Sequence, residues 1–217
     1  MPKLSKRLLA LAGMVAFDTV ADIGCDHGLL TSYLLARRIV VRAIATDINK
    51  GPLNAAAHTF KRCGVSAQLR LGDGLAPICP GEARTCVIAG MGGMTIIEML
   101  KSKPEAAMAF DQLVLSPERD QQALRLYLHA NGFRIAKEIL TEEKGHFYFA
   151  MDVRPGTEDC YDRLGYAFGQ YLINSKDLNL RHYLERENAR ISRLIDKNAG
   201  LMDELLLVMD GLRILGE

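Results

Sequence analysis

From Thr19 to about Val153, short β-branched or apolar runs alternate with stretches of helical periodicity, which restricts the chain to a sheet covered by helices on both faces. Strands are expected at Thr19 to Ile23, Ala43 to Thr46, Ala67 to Leu71, Cys86 to Ala89, Leu113 to Leu115, Phe133 to Leu140 and Phe147 to Val153. Helices are expected at 29–38, 52–63, 95–100 and 120–130, with a short proline-rich link after Asp73. Pro52 suits a first helical turn, where its missing N–H would be unbonded anyway, and Asn131-Gly132 suits a helix end. The last two strands are joined only by Thr141 to His146, which includes Gly145, so they should form an antiparallel hairpin at one edge of an otherwise parallel sheet.

Two helical segments flank this pattern. Ahead of it, Leu4, Leu8, Leu11 and Val15 fall on one face of an amphipathic helix, a better account of the opening residues than a signal peptide. After Arg154-Pro155-Gly156 strand patterns stop, and Leu180, Leu184, Ile191, Leu194, Ile195, Leu201, Leu205, Met209 and Leu212 recur at helical spacing. Gly200 interrupts that run, which predicts an antiparallel, coiled-coil-like helix pair and a division into residues 1–154 and 155–217.

Composition excludes several classes. With 49% hydrophobic and 24% charged residues in 217, a full core is within reach and disorder is not expected. No apolar run approaches the roughly 20 residues of a membrane span, so a cytoplasmic protein without membrane contact is expected. The five cysteines never form C-x-x-C and the five histidines show no ligand spacing, so neither a metal nor a disulfide framework is expected. The net charge of +1 means that a nucleic-acid partner must be held by local basic patches. The oligomeric state stays open, and a monomer is compatible with everything above.

The first strand runs into Gly24-Cys25-Asp26-His27-Gly28, where glycines let backbone approach a ligand and a helix start offers free N–H groups. A dinucleotide fingerprint needs glycine where Asp26 stands, and a carboxylate there faces a pyrophosphate badly. S-adenosylmethionine has no phosphate, and its ammonium and sulfonium are cationic, so Asp22 and Asp26 suit it. Asp47, followed by Ile48 at the end of the second strand, is placed to accept from ribose hydroxyls, and Asp73, before Gly74 after the third, from an adenine amino group. Each aspartate alone is a strand-end turn residue; together they imply a cofactor site.

These residues resemble the bacterial tRNA adenine-22 N1-methyltransferases. The likeness runs through Leu4-Ser5-Lys6-Arg7-Leu8, Asp22-Ile23-Gly24-Cys25-Asp26-His27, Gly51-Pro52, Gly72-Asp73-Gly74-Leu75 and, most specifically, Ile88-Ala89-Gly90-Met91-Gly92-Gly93. It implies a Rossmann-like α/β methyltransferase sheet of seven strands, the last antiparallel, a helical C-terminal appendage, S-adenosyl-L-methionine as cofactor and tRNA as partner. Two departures stand out: Leu115-Ser116-Pro117-Glu118 where the family has Leu-Gln-Pro-Asn, and Asp47 where it tends to carry Glu. The resemblance adds Ala89, Gly90, Met91 and Gly92 to the cofactor-binding residues.

Adenine N1 carries an in-plane lone pair, so no strong base is needed, and acceptors near the exocyclic amine should stabilise the cationic ring that forms. Asp26, Glu118 and Tyr148 are the catalytic candidates, with Phe147 and Tyr33 as further stacking surfaces for a flipped base. Lys3, Lys6 and Arg7, together with Arg186, Arg190 and Arg193 at i, i+4 and i+7, are the candidates for RNA phosphates. Rival readings are a methyltransferase acting on a small molecule or protein, a binding module on a degenerate fold, and an NAD-dependent enzyme. Deletion of residues 155–217 is expected to separate the first from an RNA enzyme by removing tRNA affinity while sparing cofactor binding.

Overall fold

The computed structural model describes residues 3–195 and 198–216. Helix α1 (Lys6–Met14) precedes β1 (Thr19–Ile23), α2 (Leu29–Ala36), β2 (Arg42–Asp47), α3 (Lys50–Cys63) and β3 (Gln68–Leu71). Then come β4 (Thr85–Met91), α4 (Gly93–Ser102), α5 (Pro104–Met108), β5 (Gln112–Pro117), α6 (Gln121–Ala130), β6 (Phe133–Glu143) and β7 (His146–Pro155). The sheet order is β3-β2-β1-β4-β5-β7-β6, with β1 to β5 parallel and β7 antiparallel to both neighbours.

The hairpin forms as expected, but its antiparallel strand is not at the edge. β7 slots between β5 and β6, pairing Leu113 with Val153 on one side and Ile135 with Val153 on the other. The reason lies in the side chains: Phe149, Ala150 and Met151 are consecutive buried residues, which only an internal strand can cover on both faces. β6 mixes buried with exposed residues and takes the edge. β1 and β5 are buried throughout, so their apolar runs were readable.

α1 is positioned by two caps. Ser5 Oγ accepts from the Leu8 N–H at 3.3 Å, and the Glu143 carboxylate at the end of β6 accepts from the N–H groups of Lys6 and Arg7 at 3.1 and 3.4 Å. A carboxylate facing free N–H groups at a helix start is favourable by dipole and hydrogen bond alike. This long-range anchor fixes Arg7 over the carboxyl ends of the strands.

After Pro155 a wide helical turn (Gly165–Gly169) leads through α7 (Gln170–Asn174) to α8 (Leu178–Leu194) and α9 (Met202–Gly216), with a 3-10 turn at Ala199–Leu201 at the expected break. Leu180, Leu184, Ile191, Val208 and Leu215 share one core with Leu140 and Phe149 of the hairpin. Arg125 on α6 donates from Nε to Glu138 Oε1 at 2.8 Å and from Nη1 to the carbonyls of Tyr166 and Ala167 at 2.9 and 3.1 Å. Both side chains of that pair are buried. Residues beyond Pro155 thus complete the core of the sheet, and deleting them would strip a buried arginine of acceptors rather than test RNA affinity alone.

Candidate active site

The turn after β1 is pinned to β2: the N–H groups of Gly24 and Cys25 both donate to the Thr46 carbonyl at 2.9 Å. Gly24 has φ of +70°, a conformation that favours glycine, and a Cβ there would lie 2.3 Å from Met91 Cε, so the methionine tip would have to move. Asp26 itself holds φ of +50°, a conformation that aspartate tolerates better than most residues. Asp22 is buried and accepts from the Thr31 hydroxyl at 2.5 Å; burial pushes its carboxyl up to about 6 despite that bond. Asp47 accepts from the Asn49 N–H at 2.9 Å, and its own carbonyl takes the Gly72 N–H at 3.0 Å, which brings the end of β3 alongside.

A cavity of about 470 Å³ opens at these strand ends. Asp22, Gly24, Cys25, Asp26, His27, Asp47, Ala89, Gly90, Met91 and Glu118 line it, together with Ser5, Arg7 and Leu8 of the N-terminal segment. Of the expected cofactor residues, Gly28, Ile48, Asp73, Gly74 and Gly92 lie outside that lining; Ile48 and Asp73 are exposed beside it. Four carboxylates against one arginine make the cavity a poor host for phosphate and a good one for a cationic ligand. Cys25 is no nucleophile, because burial and the neighbouring Asp22 and Asp47 push its thiol up to about 12.

The far wall is built by two interlocked loops. The Glu118 N–H donates to the Met91 carbonyl at 2.9 Å and the Gly93 N–H to the Arg119 carbonyl at 2.8 Å. A Cβ on Gly93 would meet the Asp120 carbonyl oxygen at 2.5 Å, so that glycine is required by the contact between the loops. Over Gly90 lies Arg7, its Nη1 3.7 Å from Glu118 Oε1 and its guanidinium 4.8 Å above the ring of Tyr148.

A methyltransferase-domain family model matches residues 4–151. The tRNA (adenine(22)-N(1))-methyltransferase of Bacillus subtilis (strain 168) is 32% identical over 183 residues, covering 81% of this chain and 77% of that protein. The chain belongs to this methyltransferase family. Its fold superposes on Streptococcus pneumoniae Sp1610 in complex with S-adenosyl-L-methionine with a TM-score of 0.91, at 27% identity over 97% of this chain and 100% of that one. The M. capricolum protein TrmK in complex with S-adenosyl-homocysteine gives 0.82, at 25% identity over 98% of this chain and 96% of that one.

In this methyltransferase the basic residues are not a free cationic face. Arg7 sits inside the cleft, not on a surface open to phosphates, while the Lys6 side chain is exposed. Arg190 is held by Glu187 and Glu204, each at 2.7 Å. Arg193 donates to the Ala189 carbonyl at 3.0 Å, and Arg186 donates to the Gly145 carbonyl while lying 5.7 Å over the Phe147 ring. Tyr148 does not line the cofactor cavity; it lines an adjoining one that shares Glu118. Tyr33 carries Arg37 over its ring at 5.6 Å on α2, which places it with that helix and not with Tyr148. Sequence reasoning missed Thr31 and the placement of Arg7; the second had a signal in Leu4-Ser5-Lys6-Arg7-Leu8, the first had none. Among the described residues no group of three or more His, Cys, Asp or Glu is placed to hold a metal, and no helix is long and apolar enough to cross a membrane.

Proposed function

We propose that the protein transfers a methyl group from S-adenosyl-L-methionine to N1 of adenine 22 in tRNA, in the cytoplasm. The observation that carries this is the carboxylate-lined cavity at the ends of β1, β2 and β4, walled by Ala89, Gly90 and Met91, in a chain of this family. When bound, the cofactor supplies an electrophilic methyl group on a sulfonium. Asp22 and Asp26 suit its ammonium end, Asp47 with Ile48 its ribose, and Asp73 with Gly74 the edge of its adenine. Gly24, Cys25, His27, Gly28 and the backbone of Ala89 to Gly92 shape the channel between.

The protein's contribution is mainly positional. Because N1 attacks with its own lone pair, no residue has to remove a proton first, and holding donor and acceptor in line can contribute roughly 7–11 kcal/mol. The ring gains positive charge as the bond forms, and the carboxylates of Asp26 and Glu118 offset it; Tyr148 supports the base through Arg7 and Glu118. Residues 1–154 carry the chemistry, and residues 155–217 guide the tRNA while completing the same core. The protein acts as a monomer in this proposal.

The test is incubation with labelled cofactor and unmodified tRNA, followed by mass-spectrometric mapping. A methyl group on N1 of adenine 22 is the expected result. Label on another atom, or transfer only to a protein or small molecule, would sink the proposal.

A further inference from the structure

Glu118 is shared by two cavities. On one side lies the cofactor cavity, on the other a second of about 370 Å³, within the range that takes small organic groups. His146, Phe147 and Tyr148 at the start of β7 form one wall, and Tyr183, Arg186 and Glu187 on α8 form the other. Phe147 and Tyr183 meet edge to face, centroids 5.5 Å apart and planes at 75°. Arg186 lies over Phe147 and donates to the Gly145 carbonyl in the hairpin turn, which fixes the plane of its guanidinium.

Aromatic rings and a fixed guanidinium plane are the surfaces on which unstacked nucleobases are received. A phosphate would be poorly served, because Glu118 and Glu187 also face this space. Those carboxylates can instead accept from the amino or imino N–H of a base. The methylated base belongs on the other side of Glu118, toward Asp26 and the bound cofactor.

Resting on tRNA as the substrate, we propose that this second cavity receives the base of a nucleotide next in sequence to the target adenosine. Two adjacent nucleotides are splayed, one on each side of Glu118. The site joins the hairpin to α8, so the C-terminal helices contribute to substrate recognition at the reaction centre itself.

The experiment uses the full-length protein and tRNA transcripts made abasic at the nucleotide 5′ or 3′ of the target. One of the two abasic transcripts is expected to raise KM about tenfold with kcat little changed, as expected for the loss of one stacked base. Arg186→Ala should raise KM for intact tRNA by a similar factor and have no further effect on that abasic transcript. Arg186→Lys should behave like Arg186→Ala, because lysine keeps the charge and lacks the plane. Recovery of wild-type KM by Arg186→Lys would reduce the residue to a charge contact and overturn the proposal. Normal KM for both abasic transcripts, or independent losses from variant and transcript, would overturn it too. Cofactor affinity of each variant, measured by calorimetry, should match the wild type. Failure of the wild-type protein to methylate intact tRNA would instead strike the function beneath it.

Discussion

Two arginine–glutamate pairs in this molecule do opposite jobs. Arg125 and Glu138 are 2.8 Å apart with both side chains buried, and the guanidinium is further held by two backbone carbonyls. Arg7 and Glu118 are 3.7 Å apart, and the Glu118 side chain is 54% exposed to the cleft. The first pair is shut away from solvent, with Arg125 Nη2 and Glu138 Oε2 left without a hydrogen-bond partner; the second stands open to the cleft, where its acceptors can meet a ligand. Asp22 belongs with the second kind, since it is buried with a hydroxyl partner and no cation.

The contrast breaks first at the closed pair. Arg125→Met should lower stability by about 3–5 kcal/mol, because it leaves Glu138 buried without its partner. Thermal unfolding would read this, and a loss under 1 kcal/mol would mean that the pair is not closed. Asp22→Asn should weaken cofactor binding by roughly 10- to 100-fold, the loss of one charged hydrogen bond. The same substitution should stabilise the ligand-free protein. With its folded-state value raised to about 6, Asp22 binds its proton more tightly in the folded chain, so its stabilising contribution is present below pH 3.8 and lost as pH rises through 6. Above pH 6 the variant should therefore melt higher than wild type, and the gap should close toward pH 4; a gap independent of pH would refute this. Wild-type cofactor affinity should rise over the same window as the carboxylate forms.

Glu118→Gln should lower kcat about tenfold, with the melting temperature nearly unchanged, since the pair it breaks is open to solvent. Normal turnover in both Glu118→Gln and Asp26→Asn would show that neither carboxylate contributes to catalysis. Smallest of all, Arg190→Gln should cost under about 1 kcal/mol, because the Arg190 side chain and its Glu204 partner on α9 are both half-exposed to solvent.

Legibility in the sequence followed the range of the interactions. The central strands were readable because burial on both faces forces continuous apolar runs, and the Asp22 to Gly28 turn was readable because glycine and aspartate mark backbone that must approach a ligand. The position of β7 was not, since the order of a hairpin's strands depends on which one is buried twice. Arg125 sits in Gln121-Gln122-Ala123-Leu124-Arg125, which looks like an ordinary solvated helix face, and its partners lie 13 to 42 residues away. Arg7 looks like a phosphate ligand in the sequence for the same reason: the carboxylate that steers α1 into the cleft is Glu143, 136 residues along the chain from it. The arginine stripe on α8 had the right period, but Glu187 and Glu204 had already taken its middle member.

The carbonyls of Tyr166 and Ala167 give the closed pair a consequence for biosynthesis. A nascent chain that has just released Pro155 holds all seven strands and Glu138, yet Arg125 still lacks the two carbonyls that take its Nη1. The sheet's β6 side cannot be sealed until the wide turn at Gly165–Gly169 has emerged, so completion of the catalytic half is timed by the synthesis of the segment that follows it.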